Sequence, residues 1–186
     1  MQIFNIAEYL MNQIRNLIAI GASAGGIKAI IKVIEGFPQN IDAAILIVLH
    51  LSRKSNADNI IEIFQRHTAL QCEVAMDKVE IERGKIYLAQ PEHHLLVHGS
   101  IMHLNNGPEE NRYRPSIDVL FRSVAVHFGN RAIGIILTGM LEDGTSGMHA
   151  IKSCGGLCLV QNPSEAEYAG MPRSVLTRIE VDYMAD

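Results

Sequence analysis

Three side chains that together could hydrolyse an ester are spread along this 186-residue chain. Ser23 stands in "GASAGG", His50 ends the run "AAILIVLH", and Asp143 lies in "TGMLEDG" with Glu142 beside it as a competing carboxylate. A serine hydroxyl is a poor nucleophile until an imidazole takes its proton. The imidazole needs a carboxylate on its other nitrogen, which fixes the tautomer and stabilises the imidazolium. "GASAG" fits the G-x-S-x-G elbow, which exposes a serine at a sharp turn. The same glycine-rich turn also suits a phosphate held on backbone N–H groups, or an ordinary tight turn. His50 weighs against a dinucleotide, because a Rossmann fold wants Asp or Glu at the end of its second strand. An α/β-hydrolase runs Ser, acid, His along the chain, whereas the order here is Ser23, His50, Asp143.

Such residues act together only if the elements that carry them share an edge. The apolar run 17–21 reads as a strand and 27–35 as a helix, with 43–50 and 132–139 as further strands without polar interruption. Residues 57–67, 114–128 and 144–154 read as helices, 156–162 as a strand, and 172–176 as the start of a last helix. The block 72–104 breaks into short alternating pieces around Gly84, Pro91 and Gly99, and reads as an insertion of small strands and hairpins. Continuous apolar strands alternating with helices predict a doubly wound α/β domain: a mostly parallel sheet with helices on both faces. In such sheets ligands sit at the carboxyl ends of the strands. Ser23, His50 and Asp143 all fall there, and Ala24 N–H at the start of the first helix is the nearest donor for an oxyanion.

Composition limits the alternatives. Hydrophobic residues make up 48% and charged residues 19% of the chain, enough to bury a core. The formal charge of −4, without any basic run, argues against a nucleic-acid partner. Three cysteines, with no CxxC pair, predict reduced thiols in a cytoplasmic protein. No apolar run approaches the roughly 20 residues that span a bilayer, and the N-terminus is too polar for a signal peptide. Residues 1–15 carry apolar side chains at helical spacing, which predicts an N-terminal helical extension ahead of a domain over 16–186.

Four stretches in order, "IAIGASAGG", "YRPSIDVLFRSVA", "GIILTGMLEDGTSGM" and "QN…GMPR", closely resemble the catalytic domain of the bacterial chemotaxis receptor methylesterases, the CheB type. The resemblance covers about residues 16 to 178. It implies Ser23 as nucleophile, His50 as base, Asp143 as orienter, and the backbone of Met140 at the oxyanion site. It further implies hydrolysis of glutamate γ-methyl esters on the cytoplasmic helices of chemoreceptors, with deamidation of glutamines as a second activity and no cofactor. The family often has glycine where this chain has Leu141. It also usually carries a receiver domain in front, and only fifteen residues precede the first strand here. Regulation by phosphorylation within the chain is therefore expected to be absent, or the chain to be a fragment, with a separate regulatory protein as one route of control. The alternatives are a serine hydrolase acting on another ester, and a non-catalytic module that binds a signalling partner.

Other residues have plainer readings beside the sharp ones. His93 and His94 suggest a metal, but adjacent side chains on a strand point apart and no cysteine or paired acid completes the set, so no metal is expected. Arg112, Arg114 and Arg173 are candidates for substrate binding and equally for helix ends and salt bridges. Asp118, one turn into its helix, suits the positive end of the helix dipole.

Overall fold

The computed structural model describes residues 16–52 and 55–185; the helix expected over 1–15 lies outside them. In chain order the elements are β1 (Asn16–Ala22), α1 (Gly26–Glu35), β2 (Ala43–Leu49), α2 (Ala57–Gln65), β3 (Gln71–Val74), β4 (Lys85–Leu88), β5 (His94–His98), β6 (Ile101–Asn105), α3 (Ile117–Phe128), β7 (Ala132–Ile136), α4 (Thr145–Ser153), β8 (Leu157–Gln161), α5 (Gly170–Leu176) and β9 (Tyr183–Ala185). Among the described residues, seven strands form one parallel sheet in the order β3-β4-β2-β1-β7-β8-β9, and β5 and β6 form a separate antiparallel hairpin.

The apolar runs become two-sided strands because the side-chain period is two. Leu17 and Ala19 face a core shared with Phe121 and Val124 of α3, Met148 of α4 and Val175 of α5. Ile18 and Ile20 face the other core, against Ile30 and Ile34 of α1 and Phe64 of α2. All of β2 is buried, so no residue of that strand could be polar without a partner. Registers are fixed at the centre, where Ile20 of β1 stands beside Ile47 of β2 and Ile135 of β7.

One expectation is corrected. The 72–104 block is not a single insertion: β3 and β4 extend the main sheet in parallel, with Ile86 beside Ile45 and Cys72 beside Ile86. The strands are four residues long and resemble hairpin pieces in sequence, yet Ile86, Tyr87 and Leu88 are consecutively buried, as a two-sided strand requires. Among the described strands, only the β5–β6 hairpin stands apart. It packs Leu95, Val97 and Met102 into the α3 side of the molecule, with Val97 N–H donating to Ser123 Oγ at 3.0 Å. The short edge strand β9, whose Tyr183 and Met184 are exposed, carried too little hydrophobic pattern to be foreseen.

Cys72 and Cys158 are buried and Cys154 is exposed. Burial pushes the Cys72 and Cys158 thiols up to about 11. Among the described residues no helix is long and apolar enough to cross a membrane, and no group of His, Cys, Asp and Glu is arranged to hold a metal ion.

Candidate active site

β1 has β2 on one side and β7 on the other, so the segments that leave these three strands emerge together. Ser23 follows β1 in a turn closed by Gly26 N–H donating to Ser23 O at 2.8 Å, with Gly25 in the left-handed region at φ 74°. Ser23 N–H donates to Thr138 O at 3.0 Å, which fastens the serine to the loop after β7. That approach leaves no room for a side chain at Gly139, whose Cβ would stand 2.9 Å from Ser23 Cβ. Thr138 Oγ1 donates to Ala24 O at 3.0 Å and completes the lacing. His50 is set by its own N–H donating to Ala22 O at 3.0 Å.

His50 and Asp143 meet in the structure. His50 Nε2 lies 2.8 Å from Asp143 Oδ2, and the two side chains are 4% and 0% exposed. Burial pushes the Asp143 carboxyl up, but hydrogen bonds from His50, Asn111 and Ile117 N–H outweigh it and hold the group below the ordinary carboxylate value. An ionised Asp143 accepts the Nε2 proton, which leaves the lone pair on Nδ1. Nδ1 is buried and has no hydrogen-bond partner among the described residues. Ser23 and His50 both line a cleft of about 290 Å³ with Leu49, Leu51 and Glu167.

Asp143 also holds the start of α3. Ser116 occupies the N-cap, but its hydroxyl donates to Asp143 Oδ1 at 2.9 Å and does not cap the helix. The exposed amides are taken by Asp143 instead: Ile117 N–H donates to Oδ2 at 2.8 Å and Asp118 N–H to Oδ1 at 3.2 Å. A carboxylate belongs at that end of a helix dipole. Asn111 Nδ2 donates to Asp143 Oδ1 at 2.9 Å and to Asp118 Oδ2 at 2.7 Å, so one amide bridges two carboxylates. Asp118 is more than a dipole partner, since its Oδ1 accepts from Gly147 N–H at 2.6 Å and joins α3 to α4. Burial, and then the charge of Asp143, push the Asp118 carboxyl above its ordinary value against the bonds from Gly147 and Asn111.

The remaining candidates separate. Glu142 pairs with Arg178 at 2.8 Å and leaves Asp143 as the carboxylate on His50. Met140 and Leu141 are exposed beside the site, Leu141 with a left-handed backbone at φ 66°. Arg112 is exposed and lines a second cleft of about 480 Å³ with Leu141, Glu142, Asp143 and Ser174. Arg114 is turned into its own loop, donating to Gly107 O at 2.8 Å and to Glu92 at 3.0 Å. Arg173 is exposed on α5 and lines neither cleft. His94 is buried as a packing residue: Nε2–H donates to Pro108 O at 2.8 Å and Nδ1 accepts from Ser116 N–H at 3.2 Å. His93 Nδ1–H donates to Pro91 O at 3.1 Å.

Two residues at the site escaped the sequence reading. Tyr113 lies flat on the His50 imidazole, with ring centroids 3.5 Å apart and planes at 9°. Tyr113 stands inside the motif "YRPSID", but nothing in its spacing points to the imidazole. Asn111 had no signal beyond the tolerance of asparagine for left-handed turns, which it uses at φ 53°.

The CheB methylesterase family profile matches residues 18–186. The chain belongs to the CheB methylesterase family. The fold agrees with a member of known structure: the crystal structure of the Thermotoga maritima CheB methylesterase catalytic domain superposes with a TM-score of 0.87 at 27% identity, over 91% of this chain and 92% of that one. A protein of Leptospira interrogans, provisionally named a protein-glutamate methylesterase/protein-glutamine glutaminase, is 38% identical over 90% of this chain and 86% of its own length. The protein-glutamate methylesterase/protein-glutamine glutaminase of Pectobacterium atrosepticum is 39% identical over 91% of this chain. This chain spans 49% of that relative, and similarly 48% of a Methanosarcina mazei member.

Proposed function

We propose that this CheB-family chain hydrolyses glutamate γ-methyl esters through Ser23, His50 and Asp143, and deamidates glutamines at the same site. Ser23 Oγ attacks the ester carbonyl while His50 Nδ1 takes its proton. The tetrahedral oxyanion rests on the peptide N–H groups of Ala24 and Met140. As it collapses, His50 gives that proton to the departing methoxide, and methanol leaves an acyl-serine. His50 then takes a proton from water, whose oxygen attacks the acyl carbon, and returns it to Ser23 Oγ as the glutamate is released. With glutamine the leaving group is ammonia. Asp143, kept ionised by its donors, stabilises the imidazolium in each half.

The observation that carries this reading is the His50 imidazole. One nitrogen is tied to a buried carboxylate, the other has no hydrogen-bond partner among the described residues, and His50 lines the same cleft as Ser23. The substrates are the methylated helices of cytoplasmic chemoreceptor domains, which places the enzyme in the cytoplasm, and a separate signalling protein governs its activity. Arg112, at the rim of the neighbouring cleft, contacts the receptor helix. The test is mass spectrometry of a methylated chemoreceptor co-expressed with the wild-type chain or with Ser23→Ala. Loss of 14 Da adducts from glutamate with the wild type alone supports the reading. Equal methylation in both samples overturns it.

A further inference from the structure

The chain from Glu110 to Tyr113 makes a closed two-residue turn. Glu110 N–H donates to Tyr113 O at 3.1 Å and Tyr113 N–H donates to Glu110 O at 2.9 Å. The central residues, Asn111 at φ 53° and Arg112 at φ 73°, are both left-handed, as in the mirror-image hairpin turns. Asparagine is at home there, whereas arginine at the second position is where such turns place glycine. A surface turn that keeps a left-handed arginine is held by its surroundings. Its base is fastened by Glu110, which pairs with Arg122 of α3 at 2.6 Å. Its two working side chains both reach the site: Tyr113 covers one face of His50, and Asn111 bridges Asp143 and Asp118.

We propose that the 110–113 turn is a positioning clamp on the His50–Asp143 pair, with the Tyr113 ring fixing the plane of the imidazole and the Asn111 amide fixing the carboxylate. This rests on the catalytic reading above. His50 must deliver one proton from Ser23 to methoxide without rotating away, and hydrogen bonds at the ring's edge leave its tilt free. An aromatic ring at 3.5 Å removes that freedom. Its π face also favours the imidazolium that forms in each half-reaction, as for other cations over aromatic rings. Asn111 suits its place because it is a neutral donor. It anchors two carboxylates without bringing a cation that would compete with His50 for Asp143.

The experiment compares the full chain with Tyr113→Phe, Tyr113→Leu and Asn111→Leu, each checked for folding by circular dichroism. Two readouts need no receptor. One is the rate at which a fluorophosphonate modifies Ser23, followed by mass spectrometry. The other is the downfield proton resonance of His50 Nε2–H. The third readout is kcat and KM on a methylated receptor peptide. Misplaced catalytic groups cost one to two orders of magnitude. Tyr113→Leu and Asn111→Leu are therefore expected to slow labelling and kcat by about tenfold or more with KM unchanged, and to broaden the resonance. Tyr113→Phe, which keeps the ring, is expected to stay within about twofold and retain the resonance. Tyr113→Met stands in if Tyr113→Leu does not fold. A leucine variant with wild-type labelling and an unaltered resonance overturns the clamp, and so does a phenylalanine variant as impaired as the leucine one. If the wild type fails on the peptide or resists the fluorophosphonate, the catalytic reading is at fault. The resonance then decides the clamp alone: kept in Tyr113→Phe and lost in Tyr113→Leu supports it, and unchanged in both overturns it.

Discussion

Asp143 serves His50 and the first turn of α3 with the same two oxygens, so substitutions at the site differ in what they cost. Ser23 stands in a turn held by backbone bonds. Ser23→Ala is therefore expected to lower kcat on a receptor ester by about 10⁴–10⁶ while the melting temperature stays within a degree or two. More than a tenth of wild-type activity in the variant would falsify the serine mechanism. Asp143→Asn should harm both rate and stability, and the stability part depends on pH. The folded carboxyl is held below its ordinary value, so its contribution is present above about pH 4, the unfolded value, and is lost as pH falls through the folded one. Urea denaturation at pH 7 and pH 3 is expected to show a larger acid loss for wild type than for Asp143→Asn; equal losses would contradict this. Asp118, held above its ordinary value, acts with the opposite sign and partly offsets the fall.

At the scale of elements, the site depends on how closely α3 and α4 cross. Gly147 of α4 faces the backbone of Asp118 and the Cβ of Phe121, and a methyl group there would overlap Phe121. Gly147→Ala is expected to destabilise the domain by about 1–3 kcal/mol in urea melts. It should also lower kcat, because pushing α3 outward moves the amides that hold Asp143. A variant destabilised but fully active would show that the α3 terminus tolerates displacement. The strands at this site were legible in the sequence because β1, β2 and β7 are unbroken apolar runs ending in Ser23, His50 and the loop to Asp143. β3 and β4 were legible as short strands but not in their pairing, since four-residue strands carry the same pattern in a hairpin as at the margin of a parallel sheet. Asn111 and Tyr113 were illegible for another reason. They reach the site from a surface turn, and no periodicity records where a turn folds back.

Over the whole molecule, the chemistry proposed uses only side chains, backbone N–H groups and water. Exhaustive dialysis against EDTA is expected to leave the esterase rate unchanged, and a loss restored by zinc would require a different mechanism. The sheet also places the buried thiols usefully. Cys72 belongs to the core under α1 and α2, and Cys158 to the core under α3, α4 and α5. With both thiols pushed up to about 11, neither forms thiolate at neutral pH while the fold is closed. Each is thus a natural stopwatch for its own side of the sheet. A maleimide should mark the exposed Cys154 within seconds and the other two only when their layer opens. Matching rates for Cys72 and Cys158 would mean that the two layers breathe as one cooperative unit; a faster Cys72 would mean that the α1–α2 layer lifts while the half holding α3 and Asp143 stays closed.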